Sequence, residues 1–196
     1  MRIGALGGSF DPPHEGHLAL ARAAARALGL DRVLLVPAWE PPHKPGGPTM
    51  PPDRRLALVR AAVAGDPLLG VSTLELDRAG TSYTAETLEQ LAADNPGAEL
   101  WFIMGADQLE GFGGWSRPER IVELARLAVA ARPGSADPGL EDLTGPVAAG
   151  RIDVVDMPEV PISSTQVRER LARGEDITDL VPEPVAALLR TAPLLP

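Results

Sequence analysis

Only three histidines occur in this chain of 196 residues, and two of them, His14 and His17, stand three apart in the stretch "GGSFDPPHEGH". Behind them lie Gly7 and Gly8, and ahead of them an Ala/Leu-rich run. A strand ending in Gly-Gly, then a turn, then a helix start is a recipe for holding an anion. Glycines let backbone approach a phosphate closely, and a helix N-terminus offers unpaired N–H groups with partial positive charge. The glycines alone equally fit a tight turn. The two imidazoles, both placed at the helix entrance, tilt the reading toward donors for phosphate oxygens. Metal ligation competes poorly, because His43 is the remaining histidine and no further ligand stands at a recognisable spacing.

A second group of residues lies near the other end, in "ISSTQVRERL". Ser163 with Gln166 three residues on fits a capping box, which would account for the serines by itself. Arg168 is less easily explained. An arginine so near a helix start opposes the helix dipole, and a nearby anion is a reason to tolerate it; pairing with a neighbouring glutamate is the plainer alternative.

The elements that position these groups follow from the apolar pattern. Short strands are predicted at Arg2–Gly8, Arg32–Ala38, Gly70–Leu76, Glu99–Gly105, Arg126–Arg132 and Arg151–Met157. Most are near-continuous apolar runs, as expected of strands covered on both faces. Between them, helices are predicted at His17–Leu28, Pro52–Ala64, Thr84–Asp94 and Pro118–Ala125. This βα alternation predicts an α/β, Rossmann-like, doubly wound parallel sheet with helices on both faces. Ligands bind such sheets at the carboxyl ends of the strands, where strand order reverses. The Pro/Gly-rich stretch Pro37–Pro52 is long enough to be a binding loop, or else a surface excursion. Arg132–Gly150 reads as a solvent-facing connection with a weakly helical middle.

Composition sets outer limits. A hydrophobic fraction of 44% over this length fits a single domain, 1–196, with a C-terminal helical part from about 163. There is no cysteine, so disulfides, thiolate zinc sites and cysteine nucleophiles are excluded. A net charge of −9 argues against broad nucleic-acid binding but leaves room for a compact phosphate site. No apolar run is long enough to span a bilayer, so a cytoplasmic protein with no membrane partner is expected. "GALGG" lacks the GxGxxG order, and no Gly-Lys pair exists to build a P-loop.

Together, "GGSFDPPHEGH" and "ISSTQVR" resemble the HxGH and ISSTxxR motifs of the nucleotidylyltransferase superfamily. Intervening matches at "PPHK", "GTSYTAETL", "MGADQL", "GGWSRPERI" and "ARPG" are similar to bacterial nicotinate-nucleotide adenylyltransferases, and the resemblance covers nearly the whole chain. It implies transfer of AMP from ATP to nicotinate mononucleotide in NAD biosynthesis, with Mg²⁺ accompanying ATP and no metal site built by the chain. His14, His17 and Arg168 would be catalytic. Gly7, Gly8, Ser9, Phe10, Gly105, Asp107, Ser163, Ser164 and Thr165 would bind ATP, and Lys44, Tyr83, Thr84, Trp115 and Arg132 the mononucleotide. Trp115 would stack on the pyridine ring, although read by itself it also fits a lid folded over the core. Tyr83 and Thr84 likewise fit plain strand and cap positions. Nicotinamide-nucleotide and phosphopantetheine adenylyltransferases are the neighbouring alternatives, and a non-catalytic ATP-sensing module is a more distant one. The C-terminal "VAALLRTAPLLP" departs from the family's aromatic-containing ending, a difference that bears on homo-oligomer contacts more than on catalysis.

Overall fold

The computed structural model describes residues 1–42, 46–131, 145–158 and 160–191. Six parallel strands form one sheet: β1 (Arg2–Gly8), β2 (Arg32–Pro37), β3 (Leu69–Val71), β4 (Glu99–Gly105), β5 (Ala125–Ala131) and β6 (Ile152–Asp156). Their order is β3-β2-β1-β4-β5-β6, the doubly wound Rossmann order, with the reversal between β1 and β4.

The reason for the continuous apolar runs is visible in the two cores. Leu6, Val33, Leu35, Trp101, Ile103, Ala128 and Val155 face one side, under α1 (Glu15–Leu28) and α2 (Pro52–Val63). Ile3, Ala5, Leu34, Val36, Phe102, Met104, Leu127 and Val129 face the other, under α4 (Thr84–Asp94), the one-turn α5 (Ala106–Leu109) and α6 (Pro118–Leu124). Alternate residues thus enter opposite cores, and only the edge strand β6 leaves a large hydrophobic side chain, Val154, to water among the strands. Two C-terminal helices, α7 (Ser164–Ala172) and α8 (Glu183–Thr191), close the first core with Val167, Val185, Ala186 and Leu189.

One predicted strand needs correction. The run Gly70–Leu76 is strand only as far as Val71; the chain then turns into the short helix α3 (Leu74–Arg78). Burial of the Glu75 side chain explains the turn, since its carboxylate accepts a 2.6 Å hydrogen bond from the Thr87 hydroxyl of α4. A short apolar run fits strand and helix alike, and this pairing across elements decides between them. Helix α1 also begins two residues earlier than predicted, which makes His14 its N-cap and His17 its third residue. The other helix and strand limits lie within a residue of expectation. Of Arg132–Gly150, residues 132–144 lie outside the described residues, and Gly145–Ala148 forms a 3₁₀ turn with Ala148 fully buried.

At the amino ends of the strands, charges are paired closely. Asp153 accepts from Arg126 at 2.6 and 2.8 Å and from the Trp101 indole at 2.8 Å. The Arg126 hydrogen bond, more than any other contact, holds the Asp153 carboxyl below its usual range. The Arg2 guanidinium lies 4.7 Å from the Trp101 ring centre, a cation–π distance.

Candidate functional site

At the opposite, carboxyl rim, β1 delivers Gly7 and Gly8 to the point where strand order reverses. The chain then folds back through Phe10, whose ring is buried and whose φ of 45° is left-handed, an uncommon state for a bulky residue. Helix α1 follows at once. The His14 main-chain N–H donates to Nδ1 of His17 at 3.2 Å, so the neutral His17 ring carries its proton on Nε2. The two imidazoles lie 3.7 Å apart, centre to centre, and the Phe10 ring meets His17 edge-on at 4.9 Å. Gly16, between them, is explained by this packing, because a Cβ there would come within 3.0 Å of His14 Nδ1.

Burial controls the charge of both rings. Desolvation pushes His14 down to about 4. It pushes His17 well below the usual imidazole range, with repulsion from His14 adding to the effect. Both are therefore neutral near pH 7, and each offers one N–H. The buried His14 Nδ1 has no well-formed hydrogen bond, although the His14 side chain faces the His17 main-chain N–H across the first turn of α1.

The C-terminal motif reaches the same loop. Ser164 Oγ donates to the Pro12 carbonyl at 2.8 Å, and Arg168 Nη1 donates to the Asp11 carbonyl at 2.5 Å. The anion beside Arg168 is the buried Asp11 carboxylate, 3.6 Å away. Ser163 caps α7 by accepting from the Gln166 N–H at 3.2 Å, the capping contact expected from the sequence. Thr165 accepts from Arg168 Nη2 at 3.1 Å. Of the serines and threonine in this motif, Ser164 lines the cleft that opens beside the loop.

That cleft has a volume of about 860 Å³. Gly7 through Asp11 line it, with His14 and His17 on one side and Gly105 and Asp107 on the other. A Cβ on Gly105 would meet the Asp107 carboxylate, so a side chain there would have to turn that carboxylate aside. A second pocket of about 240 Å³ adjoins the first and shares Gly7, Gly8, Ser9 and Gln108 with it. Tyr83, Thr84 and Trp115 line this second pocket. Tyr83 is the N-cap of α4 and Thr84 its first residue, so a helix N-terminus with unpaired N–H groups opens there. Trp115 packs on Phe102 and Phe112, at 5.8 and 5.6 Å between ring centres, while remaining part of the pocket wall. Lys44 and Arg132 lie outside the described residues.

Several participants escaped the sequence reading. Asp11 accepts from the Thr49 and Met50 N–H groups at 2.7 and 2.9 Å, which ties the far end of the Pro37–Pro52 stretch to the loop. Its near end is held by Ala38 N–H on the Gly8 carbonyl and Trp39 N–H on Ser82 Oγ, both 2.9 Å. Arg55, fully buried on α2, donates to the Ser9 carbonyl at 2.7 Å. Burial pushes its guanidinium below the usual range, and the Asp11 carboxylate opposes that shift. The signal for Arg55 lay in α2 itself, where it shares an i, i+3, i+4, i+7 stripe with the buried Leu58, Val59 and Ala62. Gln108, shared by both pockets, carried no such signal.

Comparison with known proteins agrees with this geometry. Residues 5–170 match the family model described as cytidylyltransferase-like. A protein of Roseiflexus sp. named "Probable nicotinate-nucleotide adenylyltransferase" is 44% identical over 189 residues, covering 95% of this chain and 94% of its own. One of the same name from Thermus thermophilus is 46% identical over 185 residues, covering 94% of each. Among solved structures, nicotinic acid mononucleotide adenylyltransferase of Plasmodium falciparum, complexed with NaAD, superposes with a TM-score of 0.77. That match is 16% identical, covers 97% of this chain and 95% of the other, and speaks to the fold.

Proposed function

Because the chain belongs to the cytidylyltransferase-like family and, within it, to the nicotinate-nucleotide adenylyltransferases, we propose that it transfers AMP from ATP to nicotinate mononucleotide in NAD biosynthesis. The observation that carries this reading is the pair of adjoining pockets that share Gly7, Gly8, Ser9 and Gln108. A triphosphate in the larger and a mononucleotide in the smaller would meet across this shared wall, where Gly7 and Gly8 present backbone alone. The mononucleotide phosphate attacks the α-phosphorus directly, a new O–P bond forms, the bond to the β-phosphate oxygen breaks, and pyrophosphate and deamido-NAD leave. The attacking phosphate is already ionised, so no general base is needed. Positioning and charge neutralisation supply the acceleration.

On this reading His17 donates from Nε2, and His14 beside it, to the departing pyrophosphate. A polyanion next to two neutral imidazoles raises their proton affinity. Arg168 acts where it stands, bracing the loop through Asp11 and leaving its positive charge near the phosphates. Ser9, Phe10 and Ser164 lie along the triphosphate, with Ser163 and Thr165 shaping the start of α7. Gly105 and Asp107 meet the adenosine. Trp115 stacks on the pyridine, and the α4 N-terminus at Tyr83 and Thr84 receives its carboxylate, the preference of a helix N-terminus for an anion selecting acid over amide. Lys44 and Arg132 are assigned to the mononucleotide on the motif alone.

Adenylyl transfer from ATP uses a divalent metal as a rule, and we assign Mg²⁺. Among the described residues no three His, Asp or Glu side chains converge. An ion held mainly by phosphate oxygens and water, as Mg²⁺ is in nucleotide sites, fits this sparse donor set and leaves Asp107 to the adenosine. When bound, the ion neutralises phosphate charge. No helix among the described residues is long and apolar enough to cross a membrane. The reading carries with it a cytoplasmic location, a chain working as one domain, and small nucleotides rather than nucleic acid or membrane as partners. Pyrophosphate release with ATP and Mg²⁺ against nicotinate mononucleotide, nicotinamide mononucleotide and phosphopantetheine tests it. Release with the first is expected. Release with another acceptor replaces the substrate, and tight ATP binding with no release makes the chain a sensing module.

A further inference from the structure

Phe10 stands between two carbonyls, each held by an arginine from a different helix. On its N-terminal side, Arg55 Nη1 of α2 donates to the Ser9 carbonyl at 2.7 Å; on its C-terminal side, Arg168 Nη1 of α7 donates to the Asp11 carbonyl at 2.5 Å. The residue between them has φ 45°, a conformation a phenylalanine holds only when its surroundings impose it. Arg55 does more than hold Ser9. Its Nε reaches the Met50 carbonyl at 3.2 Å and its Nη2 the Trp39 carbonyl at 3.4 Å. Met50 in turn gives its N–H to Asp11. One planar fork thus joins the phosphate loop to both ends of the Pro37–Pro52 stretch. A buried guanidinium is costly, and these three backbone acceptors with the Asp11 carboxylate are what offset it.

We infer that Arg55 is a positioning residue for the transfer reaction, setting the left-handed turn at Phe10 so that the Gly7–Asp11 backbone is already shaped for the triphosphate before it binds. The residue does not line the cleft. It acts through Ser9, a wall shared by both pockets, and so governs how the donor and acceptor phosphates meet. Small misplacement of reacting groups is enough to cost roughly a hundredfold in rate. Lysine at this position keeps the positive charge but cannot serve three carbonyls with a fork, and methionine keeps much of the volume with neither charge nor donor.

The test uses full-length Arg55→Lys and Arg55→Met with two readouts. Amide hydrogen exchange in the ligand-free protein follows the Thr49 and Met50 N–H groups, which bond to Asp11, against the amides of β1 and β4. In Arg55→Lys, Thr49 and Met50 are expected to lose protection while the strands keep theirs. Turnover with ATP, Mg²⁺ and nicotinate mononucleotide is expected to fall about tenfold in kcat for lysine and about a hundredfold for methionine, with KM for both substrates within about threefold. Unchanged protection at Thr49 and Met50, or a kcat within twofold of the parent in Arg55→Lys, overturns the inference. So does a loss of kcat that matches only the loss of folded protein by thermal melt. Should Arg55→Met not fold, the lysine variant decides alone. The turnover arm rests on the proposed function and the exchange arm does not, so a parent enzyme inactive with nicotinate mononucleotide refutes the function and leaves the clamp to be judged by exchange.

Discussion

The two rims of the sheet use similar residue types for opposite ends. At the amino rim, Arg126, Asp153 and Trp101 satisfy one another, and Asp153 is driven toward its charged form. At the carboxyl rim, His14 and His17 are driven toward their neutral forms, and His14 Nδ1 lacks a good partner. The Arg126–Asp153–Trp101 group is closed on itself, while the imidazole pair keeps its N–H groups beside an open cleft. The difference teaches where stability and activity should separate when each is disturbed.

The sharpest break comes from His17→Ala. Losing the donor on Nε2 is expected to lower turnover roughly 10²- to 10³-fold, as removal of one preorganised donor does elsewhere. The melting temperature should stay within a few degrees. Steady-state pyrophosphate release and a thermal melt on one preparation check both halves, and ordinary turnover removes His17 from the site.

Acid titration of the ligand-free protein should be the next largest effect. Below pH 6.5 the unfolded imidazoles take up protons that folded His14 refuses until about pH 4. Stability present above 6.5 is therefore lost as pH falls through that window, by up to roughly 3 kcal/mol from His14, with His17 adding in the same direction. Urea unfolding at a series of pH values measures the slope, and His14→Gln should flatten it. By the same linkage, ATP binding near pH 6 should be accompanied by proton uptake, visible as buffer-dependent heats.

Asp153→Ala reverses the pattern. It strands Arg126 and the Trp101 N–H, and is expected to cost about 2 kcal/mol, or roughly 4–8 °C in Tm. Turnover per folded molecule should remain within twofold. A large fall in kcat would mean that the rims communicate and the contrast is false.

Gly16→Ala gives the smallest signal and the finest distinction. In an ordinary helix interior the change would add about 0.5–1 kcal/mol of stability. Here the new methyl crowds His14 Nδ1, so no gain in Tm is expected and turnover should drop by about tenfold. A stabilised and fully active variant would show that the imidazole pair tolerates displacement.

The same contrast explains what the sequence could disclose. Strands such as β1, β2 and β4 were legible because burial on both faces leaves an unbroken apolar run, and the switch point followed from their alternation with helices. The union of the loop of His14 and His17 with Ser164 and Arg168 was legible as paired motifs. Arg55 was not, because a charged residue beside Arg54 reads as part of a solvated face, and only the stripe with Leu58, Val59 and Ala62 says which of the two turns inward. Asp11 was hidden as well, since an aspartate before two prolines reads as turn chemistry while its real partners, Thr49, Met50 and Arg168, are supplied by distant segments. The helix at Leu74–Arg78 was missed for a similar reason, its Glu75 being explained by Thr87 on another element.

The bonds from Ser164 to Pro12 and from Arg168 to Asp11 span 152 and 157 positions of sequence. During synthesis the phosphate loop therefore emerges long before the side chains that brace it. A nascent chain that has made all of the strands but not α7 would have its glycines and histidines in place without the brace on Asp11. Catalytic competence, unlike most of the sheet, then waits for α7 to emerge, and enzyme activity in a translation reaction would report chains elongated past it.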